Sequence, residues 1–187
     1  MAKAVIPVKA KLFIGILTSS EEYSNLAEEL LTKKFGDIDY KTANIPFMHT
    51  DYYNSIGKKL FKVFISFQRL IPRENIVNIK LFTNKIENKI SKNKIDRKVN
   101  NDRKININRT VNIDPGYITL SNVYLASCKE YFHRAYLDKG IYLENELKYV
   151  EKRYQPWDWT YPDYKKREYL EFFYYIRKLY YQQISKQ

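Results

Sequence analysis

The sequence predicts an α+β fold, and three observations carry that prediction. KLFIGILT at 11–18 is an apolar run of strand length. Two stretches, near 19–36 and 72–90, repeat apolar residues every three or four positions, the helical period. KININRTV at 104–111 alternates apolar and polar residues, the period of a strand.

Taken in order, 11–18 reads as a buried strand leading into a helix. Ser19 and Glu22 stand at capping-box spacing, Tyr23, Leu26, Leu30 and Leu31 mark its apolar face, and Gly36 stops it. Strands are expected near 38–46 and 58–69, where LFKVFISF is rich in β-branched and aromatic residues. The polar, aromatic MHTDYYNSIG lies between them. Pro72 suits a first helical turn, and Ile76, Ile79, Thr83, Ile86 and Ile90 give the second helix its buried face. A strand at 105–113 completes a βαββαβ order, the ferredoxin-like arrangement.

Beyond this core, Pro115 and Gly116 in NIDPGY suit the centre of a type II turn, and 117–127 reads as the next strand. Asp138-Lys139-Gly140 joins two further runs as an antiparallel hairpin. Pro162 ends the following segment and Asp163 is placed to cap an aromatic-rich terminal helix. Tyr169, Phe172, Phe173, Ile176 and Tyr180 share one face of that helix, which reads as core. Residues 1–187 are expected to form one domain with a basic loop at about 88–104.

Hydrophobic content of 44% and aromatic content of 16%, with 18 tyrosines, exclude a chain too polar to fold. The formal charge is +12. Lys85–Arg109 holds nine basic and three acidic residues, a net of +6, so half the excess sits in one segment. That balance favours polyanions or anionic ligands, although a solvated loop accounts for it equally. One cysteine, Cys128, and two histidines exclude an internal disulfide and a Cys/His zinc cluster, and imply a reducing compartment. No secretory cleavage pattern and no run near the ~20 apolar residues of a membrane span is present, so a cytoplasmic protein without a membrane partner is expected.

Several side chains stand out chemically. Arg109 falls among isoleucines, where a guanidinium needs a carboxylate or phosphate partner. Lys80, Thr83, Asn84 and Glu87 form a polar stripe beside the apolar face of the second helix. His133 can change charge near neutral pH. By strand alternation Arg134 and Tyr136 share a face, and Glu144 is placed to meet an arginine across the hairpin. Asn112 and Asp114 end the alternating run and are expected to face one cleft with Lys80, Arg134 and Glu144.

IKLFTNKIE, NIDPGY, HRAYLDKGIYLE and WTYPDY together resemble an uncharacterised prokaryotic domain-of-unknown-function family, whose members often carry the automatic label "GTP-binding protein". The resemblance runs through nearly the whole chain. It matches Thr50, Tyr52 and Tyr53, the helix residues Lys80, Thr83, Asn84 and Glu87, Asn112 and Asp114–Gly116, Lys129, His133, Arg134, Tyr136, Gly140, Glu144 and Trp159–Tyr164. The chain itself has no GxxxxGK[ST] loop and only five glycines. Asn93-Lys94-Ile95-Asp96 matches a guanine-reading element, but without a phosphate loop a GTPase fold is excluded.

The expected function is binding of a phosphate-bearing small ligand, a nucleotide. Lys80, Asn84, Glu87, Arg109, Asn112, Lys129, Arg134, Tyr136 and Asp163 are the expected ligand contacts. If chemistry follows, it is Mg-assisted phosphoryl transfer or hydrolysis with His133, Asp114 and Glu144 as catalytic groups, Asp114 and Glu144 holding the Mg²⁺. Two alternatives are an RNA-binding module using segment 85–109 and a noncatalytic protein-interaction subunit.

Overall fold

The computed structural model describes residues 1–48, 53, 55–96 and 109–186, and of 93–96 the backbone only. The protein is α+β, with three α-helices on one large antiparallel sheet. The elements are β1 (Ala10–Thr18), α1 (Glu21–Phe35), β2 (Ile38–Lys41), β3 (Ile45–Phe47), β4 (Leu60–Ile71), α2 (Ile76–Asp96) and β5 (Val111–Ile118). They continue as β6 (Asn122–Ser127), β7 (Ala135–Asp138), β8 (Ile141–Val150), β9 (Arg153–Pro156) and α3 (Arg167–Ile184), with 3-10 turns at Arg73–Asn75 and Pro162–Lys165. The nine strands run β2-β4-β1-β5-β6-β8-β7, with β3 following β2 along β4, and β9 pairing with β8.

Helices cover both faces, which is why β1 is buried at every position and reads as a continuous apolar run. Leu12, Ile14 and Ile16 of β1 point to the face of α1 and α2, against Ala27, Leu31, Ile79, Ile86 and Ile90. Phe13 points to the other, against Phe172, Phe173 and Ile176 of α3. The aromatic stripe of α3 is core as expected: Tyr169, Phe172, Phe173, Ile176 and Tyr180 are all buried. Each such ring contributes about 1.5–3 kcal/mol by leaving water.

Several local expectations give way to other geometry. Ser19 does not close a capping box; its hydroxyl donates to Ile56 O. Asp163 does not cap α3, whose N-cap is Lys166, but sits in the preceding 3-10 turn. The basic loop begins later than 88, because α2 continues to Asp96 and carries Asn93–Asp96 in its last turn. Residues 97–108, and with them the first half of the strand expected at 105–113, lie outside the described residues, as do Thr50 and Tyr52.

The largest revision concerns Pro115 and Gly116, which form no turn. They lie inside β5, opposite Ile14 and Phe13 of β1. The strand expected at 117–127 is a hairpin instead, turning at Thr119–Asn122, where the Thr119 hydroxyl accepts the N–H groups of Ser121 and Asn122. The Lys139-Gly140 turn forms as read, both residues at positive φ. Among the described residues no helix is long and apolar enough to cross a membrane.

Candidate functional site

The site originates where two strands part. β1 pairs with β5 along its whole length, but β6 joins β5 only from Gly116 to Ile118. Beyond Leu125 the strand β6 keeps to β8 instead. Upstream of Gly116, the side of β5 turned away from β1 therefore meets no strand among the described residues. Its backbone still needs partners, and α2 supplies them. The Glu87 carboxylate accepts the Ile113 N–H at 2.6 Å, and Lys80 Nζ donates to Ile113 O at 3.1 Å.

This fork explains the Pro-Gly pair. N–H and C=O groups of alternate residues point to the same side of a strand, so Pro115 shares the orientation of Ile113, and its missing N–H falls where no strand waits for it. Gly116 stands where β6 closes in: a Cβ there would lie 2.3 Å from Tyr124 O and 2.4 Å from the Phe13 ring.

In the opening sits a cavity of about 440 Å³, within the range of small-ligand sites. Lys80 and Asn84 reach it from α2, Asn112 and Asp114 from β5, Ser127, Cys128 and Lys129 from the end of β6, and Glu144 from β8. Arg109, Lys62 of β4, Phe47, Tyr53 and the Tyr161–Tyr164 turn complete the wall.

Charges on this wall are mostly paired. Lys80 Nζ lies 3.3 Å from Asp114 Oδ1, and Asn112 Nδ2 donates to the other oxygen. Burial would raise the Asp114 carboxyl, but Lys80, Lys62, Arg109 and the Asn112 bond outweigh it and hold it below the usual carboxylate range. Arg109 finds the carboxylate its position demanded, with Nε and Nη2 at 3.2 and 2.7 Å from one oxygen of Glu87. Burial pushes the Glu87 carboxyl up, against the opposing pull of Arg109, Lys80 and the Ile113 N–H.

Glu144, 1% exposed, has both oxygens occupied, by His133 Nε2 and by Arg134 Nε, each at 2.7 Å. Arg134 Nη2 also donates to Tyr161 Oη at 2.7 Å. The His133 ring is stacked on Trp159 at 5.2 Å, and Trp159 on Trp157 at the same separation. Two residues from Glu144, Glu146 is fully buried, and burial together with Glu144 drives its carboxyl well above the usual range.

Of the residues singled out in sequence, Lys80, Asn84, Arg109, Asn112, Asp114, Lys129, Glu144 and Asp163 line this one cavity. Glu87, His133 and Arg134 stand one bond behind it, on Arg109 and Glu144. Tyr136 is elsewhere: 60% exposed, it borders a groove with Arg73, Val77 and Tyr117. The expected shared face of Arg134 and Tyr136 fails because Arg134 precedes β7, in a turn closed by its N–H on Tyr131 O, so strand alternation does not reach it. Lys62 escaped the sequence reading. A lysine within the apolar LFKVFISF was the available signal, by the same logic that singled out Arg109.

A model of the family described as a domain of unknown function, DUF4416, matches residues 8–180. The chain belongs to that family. No curated protein and no solved structure matches it.

Proposed function

We propose that this cavity binds a phosphate-bearing small ligand, a nucleotide in the first instance, on a ferredoxin-like βαββαβ core. One observation carries the reading: the wall has hydrogen-bond donors to spare, whereas its carboxylates are engaged. Among the described residues Lys80 uses two of its three N–H groups and Arg109 two of its five, both on a single oxygen. Of the wall carboxylates, Asp114 and Glu144 have both oxygens bonded and Asp163 holds Lys62 through one oxygen; Glu87, one bond behind the wall, has both bonded as well. An acceptor-rich anion fits such a wall, and phosphate offers acceptors alone. The "GTP-binding" label carried by family members agrees with this reading and adds little to it.

Mg²⁺ enters the proposal with the ligand. Among the described residues no group of three or more His, Cys, Asp or Glu is arranged to hold a metal. A Mg²⁺ at Asp114 or Glu144 would therefore take most of its oxygens from phosphate and water, as Mg²⁺ at nucleotide sites commonly does. In that proposal His133 acts through Glu144, which it contacts, and serves as a positioning residue. An exposed, unpaired Cys128 at the rim suits the reducing cytoplasm. The RNA reading, which rests on the basic segment and on aromatic rings for base stacking, takes second place.

Thermal unfolding against a panel of nucleotides, with and without Mg²⁺, at low and moderate salt, tests the proposal. A ligand at a hundred times its Kd stabilises by ~2.7 kcal/mol, a rise of roughly 5–10 °C for a chain of this size. No rise with any nucleotide would sink the reading. A shift only with RNA, falling steeply with salt, would favour the second.

A further inference from the structure

Two buried lysines on the α3 face of the sheet invite comparison. Lys11 of β1 is fully buried and saturated, its three N–H groups accepted by Asp39 at 2.5 Å, Phe67 O at 2.9 Å and Gln183 Oε1 at 3.0 Å. That is how a structural ammonium is accommodated. Lys62 of β4 is nearly as buried, at 5% exposure, yet among the described residues it has one hydrogen bond, a long one of 3.3 Å to Asp163 Oδ2. Its Nζ otherwise faces the rings of Tyr164, Phe64, Tyr169 and Phe47, at 5.2, 5.5, 5.5 and 5.9 Å.

Aromatic faces stabilise a cation but accept no conventional hydrogen bond, so two N–H donors of a desolvated ammonium lack acceptors among the described residues. The side chain lines the cavity. Room for its stem is made by Gly15 of β1, where a Cβ would come within 3.2 Å of Lys62 Cε. Such an arrangement burdens the unliganded fold, and an incoming acceptor relieves it.

The cations are also graded in depth. The side chains of Lys62 and Lys80 are 6% exposed and that of Arg109 33% exposed. Four rings and Asp163 enclose Nζ, so a polymer chain has no path past it, whereas an end group fits. We infer that Lys62 anchors the closed end of the cavity and receives the terminal phosphate of the ligand, whose ring-bearing part lies outward toward Arg109 and Tyr161. This rests on the phosphate reading above and gives that reading a direction: a phosphate at a chain end, held from within.

The test is calorimetric binding of the four ribonucleoside 5′-monophosphates and their parent nucleosides to the wild-type protein and to Lys62→Met, with urea unfolding of both. The wild type is expected to bind one monophosphate at least tenfold more tightly than its nucleoside. In Lys62→Met the monophosphate falls to the level of the nucleoside and nucleoside affinity is unchanged, while urea unfolding shows that the variant is folded. Monophosphate affinity retained in Lys62→Met, or nucleoside affinity lost along with it, overturns the role of Lys62 and leaves the phosphate reading standing. Failure of the wild type to bind any monophosphate more tightly than its nucleoside overturns both. Should Lys62→Met not fold, reductive methylation of the wild type decides: Lys62 protected by bound monophosphate supports the anchor, and Lys62 labelled equally with and without it overturns the anchor. Saturated Lys11 provides the unlabelled control.

Discussion

The Glu87 carboxylate accepts the backbone N–H of Ile113 at 2.6 Å while its other oxygen holds Arg109. One side chain of α2 thus substitutes for a missing strand and fixes a cation at the cavity wall. Glu87→Ala leaves a buried N–H and a guanidinium uncompensated, and is expected to destabilise the fold by about 3 kcal/mol. Glu87→Gln keeps an acceptor for Ile113 and loses less. Urea unfolding of the two variants checks this; equal losses would mean that the Ile113 bond contributes nothing.

Asp114 gives a pH signature of the opposite kind to a buried, isolated acid. Its folded-state carboxyl is held low, by Lys80, Lys62 and Arg109 against the cost of burial, so its stabilisation is present above the unfolded pKa and lost as pH falls through the folded one. Asp114→Asn is expected to lose about 1.5–3 kcal/mol at pH 7. The gap to wild type closes below the ordinary aspartate range, about pH 4, as the native carboxyl itself protonates. A gap that stays constant down to pH 2 would refute the electrostatic account.

How much of this was legible in the sequence depends on what range of chain each feature needs. The α3 stripe from Tyr169 to Tyr180, the Lys139-Gly140 turn and the need of Arg109 for a carboxylate follow from local periodicity, turn chemistry and the cost of an unpaired charge. Most of the charged and amide residues of the cavity were legible because polar groups on an otherwise apolar strand or helix edge have few other places to go. The Pro115-Gly116 pair misled, since its local preference for a turn was overridden by pairing with β1, just over a hundred residues away. The forked edge of β5 is a tertiary fact: only the pairing of β6 with β5 and with β8 makes it visible.

The fork itself predicts how those two positions tolerate change. Pro115→Ala adds a buried N–H on a side where no strand accepts it, and is expected to cost about 1–3 kcal/mol, through the unpaired donor together with the freer unfolded chain. Gly116→Ala forces a Cβ against backbone, Tyr124 O, and is expected to cost more than about 3 kcal/mol or to prevent folding. Gly140→Ala provides the contrast: no atom crowds it, and only its positive φ of 73° is at issue, about 1 kcal/mol. Thermal midpoints that rank Gly140→Ala below Gly116→Ala would contradict the closing of β6 onto β5 at that point.

Glu146 supplies the last prediction. Its side chain is fully buried, Oε1 has no hydrogen-bond partner among the described residues, and Oε2 accepts only the Tyr161 N–H, at 3.3 Å. Burial, then Glu144 and Asp163, push its carboxyl well up, against the weaker pull of the Tyr161 N–H and Lys62. A raised folded pKa means that the native state binds the proton more tightly than the unfolded chain does. The resulting stability is complete below the ordinary glutamate value of about 4.3 and is lost as pH rises through the folded value. Glu146→Gln mimics the protonated acid and cannot ionise. Its stability relative to wild type is therefore expected to grow from about pH 5 upward, by up to ~1.4 kcal/mol for each unit of pH until the native carboxyl ionises. Urea unfolding at pH 5, 6, 7 and 8 measures this directly, and parallel pH profiles for the two proteins would show that Glu146 is charged in the native state.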